Sequence, residues 1–204
     1  MTRKTTIIGF YGGPGIGKSA AAWTAAAWLK KRGVSVELAN EYVKRWAWQG
    51  REVGPLDELV ILGQQIREEA DLLGKVDFII TEKPVLLDLA YARLYQPPEI
   101  TRAVEQTIVA HYAHAASMGH QHINVLFRRA KGYDTRGRYE NRKQAELVDQ
   151  IAEQALGELA CDGQFNRESI WGATYIQSVY PVYFADRNRI PQFLSSFLEC
   201  WRRQ

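Results

Sequence analysis

Residues 12 to 20 read Gly12-Gly13-Pro14-Gly15-Ile16-Gly17-Lys18-Ser19-Ala20, and the first eight fit the spacing G-x-x-x-x-G-K-[ST] of a phosphate-binding loop. That motif gains meaning from its flanks. Upstream, Thr5 to Tyr11 (TTIIGFY) is a short apolar, partly β-branched run that gives way to glycine, as a buried strand does. Downstream, Ser19 to Arg32 is rich in alanine, contains no Gly or Pro, and stops at Gly33, a natural residue for closing a helix. Strand, glycine loop and helix in that order curl the backbone so that N–H groups point inward at a helix N-terminus, where the dipole favours anions. The segment Gly12 to Ala20 is therefore expected to hold the phosphates of ATP. Lys18 would reach the β- and γ-phosphates, and the Ser19 hydroxyl would ligate Mg²⁺.

Working outward, Val34 to Ala39 reads as a second strand, Leu56 to Leu73 as a helix and Val76 to Thr81 as a third strand. Helices are expected over Pro84 to Leu94 and Glu99 to Ser117, divided by Pro97-Pro98, followed by a fourth strand at His122 to Phe127. Residues 128–142 form a charged, glycine-containing loop. Lys143 to Leu159 reads as a helix, Ala173 to Val179 as a fifth strand and Ile190 to Trp201 as a terminal helix. This alternation predicts a three-layer α/β fold, with a mostly parallel five-stranded sheet between helices. The 204 residues suit one domain, 1–204.

Composition excludes several classes. A hydrophobic share of 46% is too high for a disordered chain, and a net charge of +3 is too small to argue for nucleic acid by itself. Cys161 and Cys200 lack metal-ligand spacing and imply no disulfide framework. The first residues carry no signal-peptide pattern and no apolar run is long enough to span a bilayer, so a cytoplasmic protein without membrane contact is expected. His111, His114, His120 and His122 are read as partly exposed helix and strand positions, not as a metal set.

Three features are expected at the carboxyl ends of the strands, where such sheets bind ligands. Glu41 follows the second strand, where a carboxylate can take a proton from an attacking hydroxyl. Nearby Arg45, Trp46 and Trp48 suit acceptor binding, with the tryptophans as a stacking wall, although one of them can equally be core. Glu82 ends the third strand and is a candidate for Mg²⁺ or for the acceptor; Asp88 reads as part of a solvated helix face. Arg136, Arg138 and Arg142 lie in the 128–142 loop, where bidentate cations could close over a moving phosphoryl group.

With these residues in place the chain resembles the P-loop kinases of nucleosides and nucleotides, a group that includes deoxynucleoside and thymidylate kinases. The phosphate loop, Glu41 with Trp46, and the cluster Arg136, Arg138, Glu140 and Arg142 carry the likeness; Glu82-Lys83-Pro84 departs from the Asp-Arg style element usual there. The resemblance implies Glu41 as general base and the arginines as a lid. Within the group the chain is most similar to phage-type kinases of 5-hydroxymethyluracil in DNA. The acceptor can be a free nucleoside, a nucleoside monophosphate or a modified base in DNA, and a nucleotide-dependent ATPase or switch stands as the alternative of another class.

Overall fold

In the computed structural model, residues 3–129, 138–161, 182–185 and 189–201 are described. Strand β1 (Thr6–Tyr11) is buried at all six positions and lies in the middle of the sheet. Helix α1 (Lys18–Lys30) follows it, then β2 (Val36–Ala39), the short α2 (Lys44–Trp48), α3 (Asp57–Ala70) and β3 (Phe78–Thr81). The second half runs through α4 (Leu87–Tyr95), α5 (Pro98–Ser117), β4 (Gln121–Phe127), α6 (Arg142–Cys161), β5 (Val182–Ala185) and α7 (Ile190–Trp201).

The strands lie in the order β2-β3-β1-β4, with the short β5 joined to β4, and every pairing is parallel. Thr6 is in register with both Phe78 and Gln121. Parallel strands in register end at one edge, so the loops after β1, β2, β3 and β4 emerge together. That edge receives the phosphate loop, Glu41, Glu82 and Arg129.

Alternation along the strands divides the core into two layers. Ile8 and Phe10 face one side and pack with Ala22, Leu29, Phe127 and Leu194, against α1 and α7. Tyr11 faces the other and packs with Leu62, Leu87, Tyr112 and Val148, against α3 to α6. The alanines of α1 let that helix approach the sheet closely, and the Phe10 and Phe127 rings stack at 5.2 Å behind the phosphate loop. Among the described residues no helix is long and apolar enough to cross a membrane.

The first four strands and the long helices stand where the sequence pattern places them, with ends displaced by a few residues. A strand over 173–179 lies outside the described residues; β5 occupies 182–185. Helix α2 forms in a stretch to which the sequence pattern assigns no element, because burying Trp46 holds a segment too short to show any period.

The histidines differ from expectation. His120 and His122 are buried, and only His114 is exposed. His120 Nδ1 accepts the Thr5 N–H at 3.1 Å. His122, in β4, is pushed down to about 3 by burial and by its neighbours His111 and His120, so it is neutral. The reason lies in the fold: β4 neighbours the central strand, and the period of α5 turns His111 inward beside Tyr112.

Phe10→Ala should cost about 3–5 kcal/mol in a denaturant titration, since it empties a fully buried aromatic site at the sheet centre.

Candidate active site

Gly12, Gly15 and Gly17 adopt φ of 129°, 78° and 105°, values that side chains resist, and these turns curl the loop. Gly13 is required for another reason: a Cβ there would collide with the Ala145 carbonyl oxygen on α6. Lys18 Nζ donates to Gly12 O at 2.7 Å and Gly13 O at 3.1 Å, folding its ammonium back across the loop. Burial lowers Lys18 to about 8, opposed in turn by the charges of Glu41, Asp149 and Glu82 and reinforced by Arg138. The charges of three expected site residues, Glu41, Glu82 and Arg138, thus bear on Lys18.

A brace that sequence reading missed holds the loop to α6. The Gly13 N–H donates to Asp149 Oδ1 at 2.5 Å. Arg129 donates to both oxygens of Asp149, at 2.5 and 3.1 Å, and to the carbonyls of Pro14 at 2.9 Å and Ala145 at 3.3 Å. The available signal was an arginine just past a strand end with an acid on the apolar side of the next helix.

On the metal side, the Lys44 ammonium donates to Ser19 Oγ at 3.1 Å and stands 3.7 Å from Glu82 Oε2. That carboxylate oxygen is buried and makes no hydrogen bond. A hydroxyl and an orphaned carboxylate oxygen, both hard donors, thus converge on one cationic head. The pair fits Mg²⁺, which takes one or two protein oxygens and fills its octahedron with water and phosphate.

A buried cluster of charged side chains lies where β3 leads into α4. Lys83 forms an ion pair with Asp88, both almost fully buried. Asp88 is therefore not on a solvated face, as its helix position suggested: the buried side of α4 carries it inward onto Lys83. Glu58, from α3, is pushed up to about 7 by burial and then by Asp88, with Lys83 opposing. The charge of Glu41 acts on Lys83, Asp88, Tyr91 and Glu140 as well as on Lys18. Nothing in the sequence joined Glu58, Lys83 and Asp88, because they come from separate elements.

The remaining expected residues divide. Trp46 is buried, with the Arg51 guanidinium 3.3 Å above its ring and Tyr42 at its edge, whereas Trp48 is 69% exposed and Arg45 is exposed beside it. Arg142 opens α6 and pairs with Glu146 at 2.9 Å. Arg136 lies outside the described residues. Glu140 is drawn above its usual range, chiefly by burial, with Lys18 and Lys83 opposing. The described end of the 128–142 loop therefore reaches the phosphate side.

The family described as AAA domain matches residues 7–163. No curated protein matches the sequence. Among solved structures, the chain is similar to NadR protein in complex with NAD and AMP-PNP, with a TM-score of 0.67 and 12% identity, over 96% of this chain and 49% of that one. NadR protein in complex with NR matches with a TM-score of 0.54 and 15% identity, over 78% and 43%. A deoxyadenosine kinase from M. mycoides, with dCMP and dCDP bound, matches with a TM-score of 0.55 and 14% identity, over 95% and 99%. The chain thus spans about half the length of the NadR protein. At these identities the likeness is one of fold, a parallel α/β sheet flanked by helices.

Glu58 carries a testable consequence. Its folded value lies above the ordinary 4.5, so the folded state keeps a proton that the unfolded chain gives up. Stability should fall as pH rises from about 4.5 through 7, by on the order of 2–3 kcal/mol, and level off above. Glu58→Gln should flatten that slope in melting curves taken between pH 5 and 8.

Proposed function

We propose, from the premise that the chain belongs to the AAA domain family, that it is a phosphotransferase moving the γ-phosphoryl group of ATP to a hydroxyl of a nucleoside-type acceptor. The observation that carries this reading is the meeting of Ser19 Oγ and the buried Glu82 oxygen at the Lys44 ammonium beside the phosphate loop, with Glu41 following β2 at the same sheet edge. In this reading an acceptor hydroxyl lies between Glu41 and the γ-phosphorus.

In this mechanism the loop N–H groups and Lys18 hold the β- and γ-phosphates, while Ser19 and Glu82 hold the metal. Mg²⁺, when bound, neutralises charge across the two phosphates. Lys44 gives up its contact with Ser19 and is left to pair with phosphate oxygen. Glu41 takes the hydroxyl proton as the acceptor oxygen bonds to the γ-phosphorus and the bond to the ADP oxygen breaks. Arg138 stabilises the charge spread over the moving group, as do Arg136 and Arg142 if the lid closes with its full set. Lys83, Asp88 and Glu58 orient the acceptor through hydrogen bonds that a molecule lacking those hydroxyls would leave unmade.

The fold supports an acceptor of this class, since similar structures hold NR, NAD and dCMP. A second reading, 5-hydroxymethyluracil in DNA, is favoured by the exposed Trp48 beside the exposed Arg45, which could stack a base and meet a phosphate.

The reading is tested by following labelled γ-phosphate from ATP into nucleosides, nucleoside monophosphates, plain DNA and DNA carrying 5-hydroxymethyluracil. Label in a free nucleoside is the expected result. Label in the modified DNA alone would favour the second reading, and free phosphate with every acceptor unlabelled would show an ATPase. Glu41→Gln should lower transfer by about 10²–10⁴-fold while ATP affinity stays within a few-fold.

Lys18 adds a pH dependence. Below about 8 it meets the phosphates already charged. Above that value binding must take up a proton, so ATP affinity measured by calorimetry should weaken with rising pH, by up to about tenfold per unit.

A further inference from the structure

Away from the phosphate edge, three ligating side chains from three elements meet inside the protein. Glu69 comes from α3, His111 from α5 and His122 from β4. One ligand atom from each lies within 4.8 Å of the others. His111 Nε2 is 3.3 Å from Glu69 Oε2, and both side chains are largely buried. We propose that Glu69, His111 and His122 form a site for a divalent transition-metal ion, Zn²⁺ by preference, that pins α3 and α5 to the sheet.

The geometry supports it in four ways. Tetrahedral zinc with bonds of about 2.0–2.1 Å sets its ligand atoms roughly 3.3 Å apart, which the His111–Glu69 pair already meets. The widest separation need close by only roughly 1.5 Å. The two imidazoles stand 6.0 Å apart between centroids at 77°, so neither ring blocks the other's approach to a shared ion. Tyr112 stacks on His122 at 4.0 Å and holds that ring in place, the orienting role that surrounding groups play at metal sites.

The chemistry supports it as well. A bare Glu–His pair engages one oxygen of the Glu69 carboxylate. It leaves Glu69 Oε1 buried without a hydrogen bond, at a cost of about 1–3 kcal/mol. A cation meets that oxygen's need, and two imidazoles with one carboxylate form a donor set suited to zinc. His111 is the least buried of the three residues and offers the route of entry. The site is independent of the phosphate chemistry, but α3 also carries Glu58, so fixing one end of the helix steadies the buried charged cluster at the other.

The test uses the full chain stripped with chelator. Titration with Zn²⁺ should show one tight equivalent and a melting temperature higher by about 5 °C or more. Co²⁺ should give the visible bands of a four- or five-coordinate ion, lost in His111→Gln and in His122→Gln but kept in Glu82→Gln. In the unmodified protein, side-chain ¹⁵N resonances of two histidines should shift on adding Zn²⁺, a readout that does not depend on any variant folding. Absence of a tight equivalent, histidine resonances that do not move, or Co²⁺ bands that survive both histidine substitutions in folded protein would overturn the proposal.

Discussion

The Gly13 N–H, the Asp149 carboxylate and the Arg129 guanidinium form a closed set of charge-assisted hydrogen bonds, and the same guanidinium also caps the Pro14 carbonyl. A loop made of left-handed glycines has high conformational entropy when free, because glycine restricts the chain least. Tying its second residue to α6 removes much of that freedom before any phosphate arrives. Arg129 follows β4 directly and Asp149 sits within α6, so the brace also joins the segments on either side of the 128–142 loop. Phosphate binding is thereby set against one rigid frame.

Charge burial is the second constraint on the molecule. Lys18, Lys83, Asp88, Glu58 and Glu82 are gathered at the carboxyl edge of the sheet, where desolvation opposes every charged form. The protein offsets that cost by mixing signs: Lys83 with Asp88, Lys44 with Glu82, and Lys18 within reach of Glu41. The balance is incomplete. Glu58 is held near neutrality and Lys18 is brought down to about 8, a state in which arriving phosphate charge is favourable. A site arranged in this way gains stability from its ligand, as shifted pKa values at functional sites generally indicate.

Much of this was legible in the chain. The G-x-x-x-x-G-K-[ST] spacing between an apolar run and an alanine-rich run specified the loop, and the period of each later segment placed four strands and the long helices. Local rules sufficed there, because strand and helix patterns depend on neighbours two to four residues apart. Glu41 and Glu82 were visible as acids just past strand ends. The inward turn of Asp88, the burial of His120 and His122, and the sharing of Glu58, Lys83 and Asp88 were not, since each depends on which helix face meets which neighbour. Trp46 and Trp48 differ by two residues and by most of their exposure, a distinction made by the packing of α2 alone.

The sequence by itself determined the parallel α/β plan and the phosphate loop, because backbone conformation, glycine content and hydrophobic period are local properties. Only the tertiary structure decided the rest: that Asp149 reaches back to Gly13, that Lys44 stands between Ser19 and Glu82, and that Glu69, His111 and His122 share one place in the core. These groups lie tens of residues apart in the chain. Their meeting is set by strand order and helix packing, and no spacing along a sequence encodes the distance between two surfaces that fold against each other.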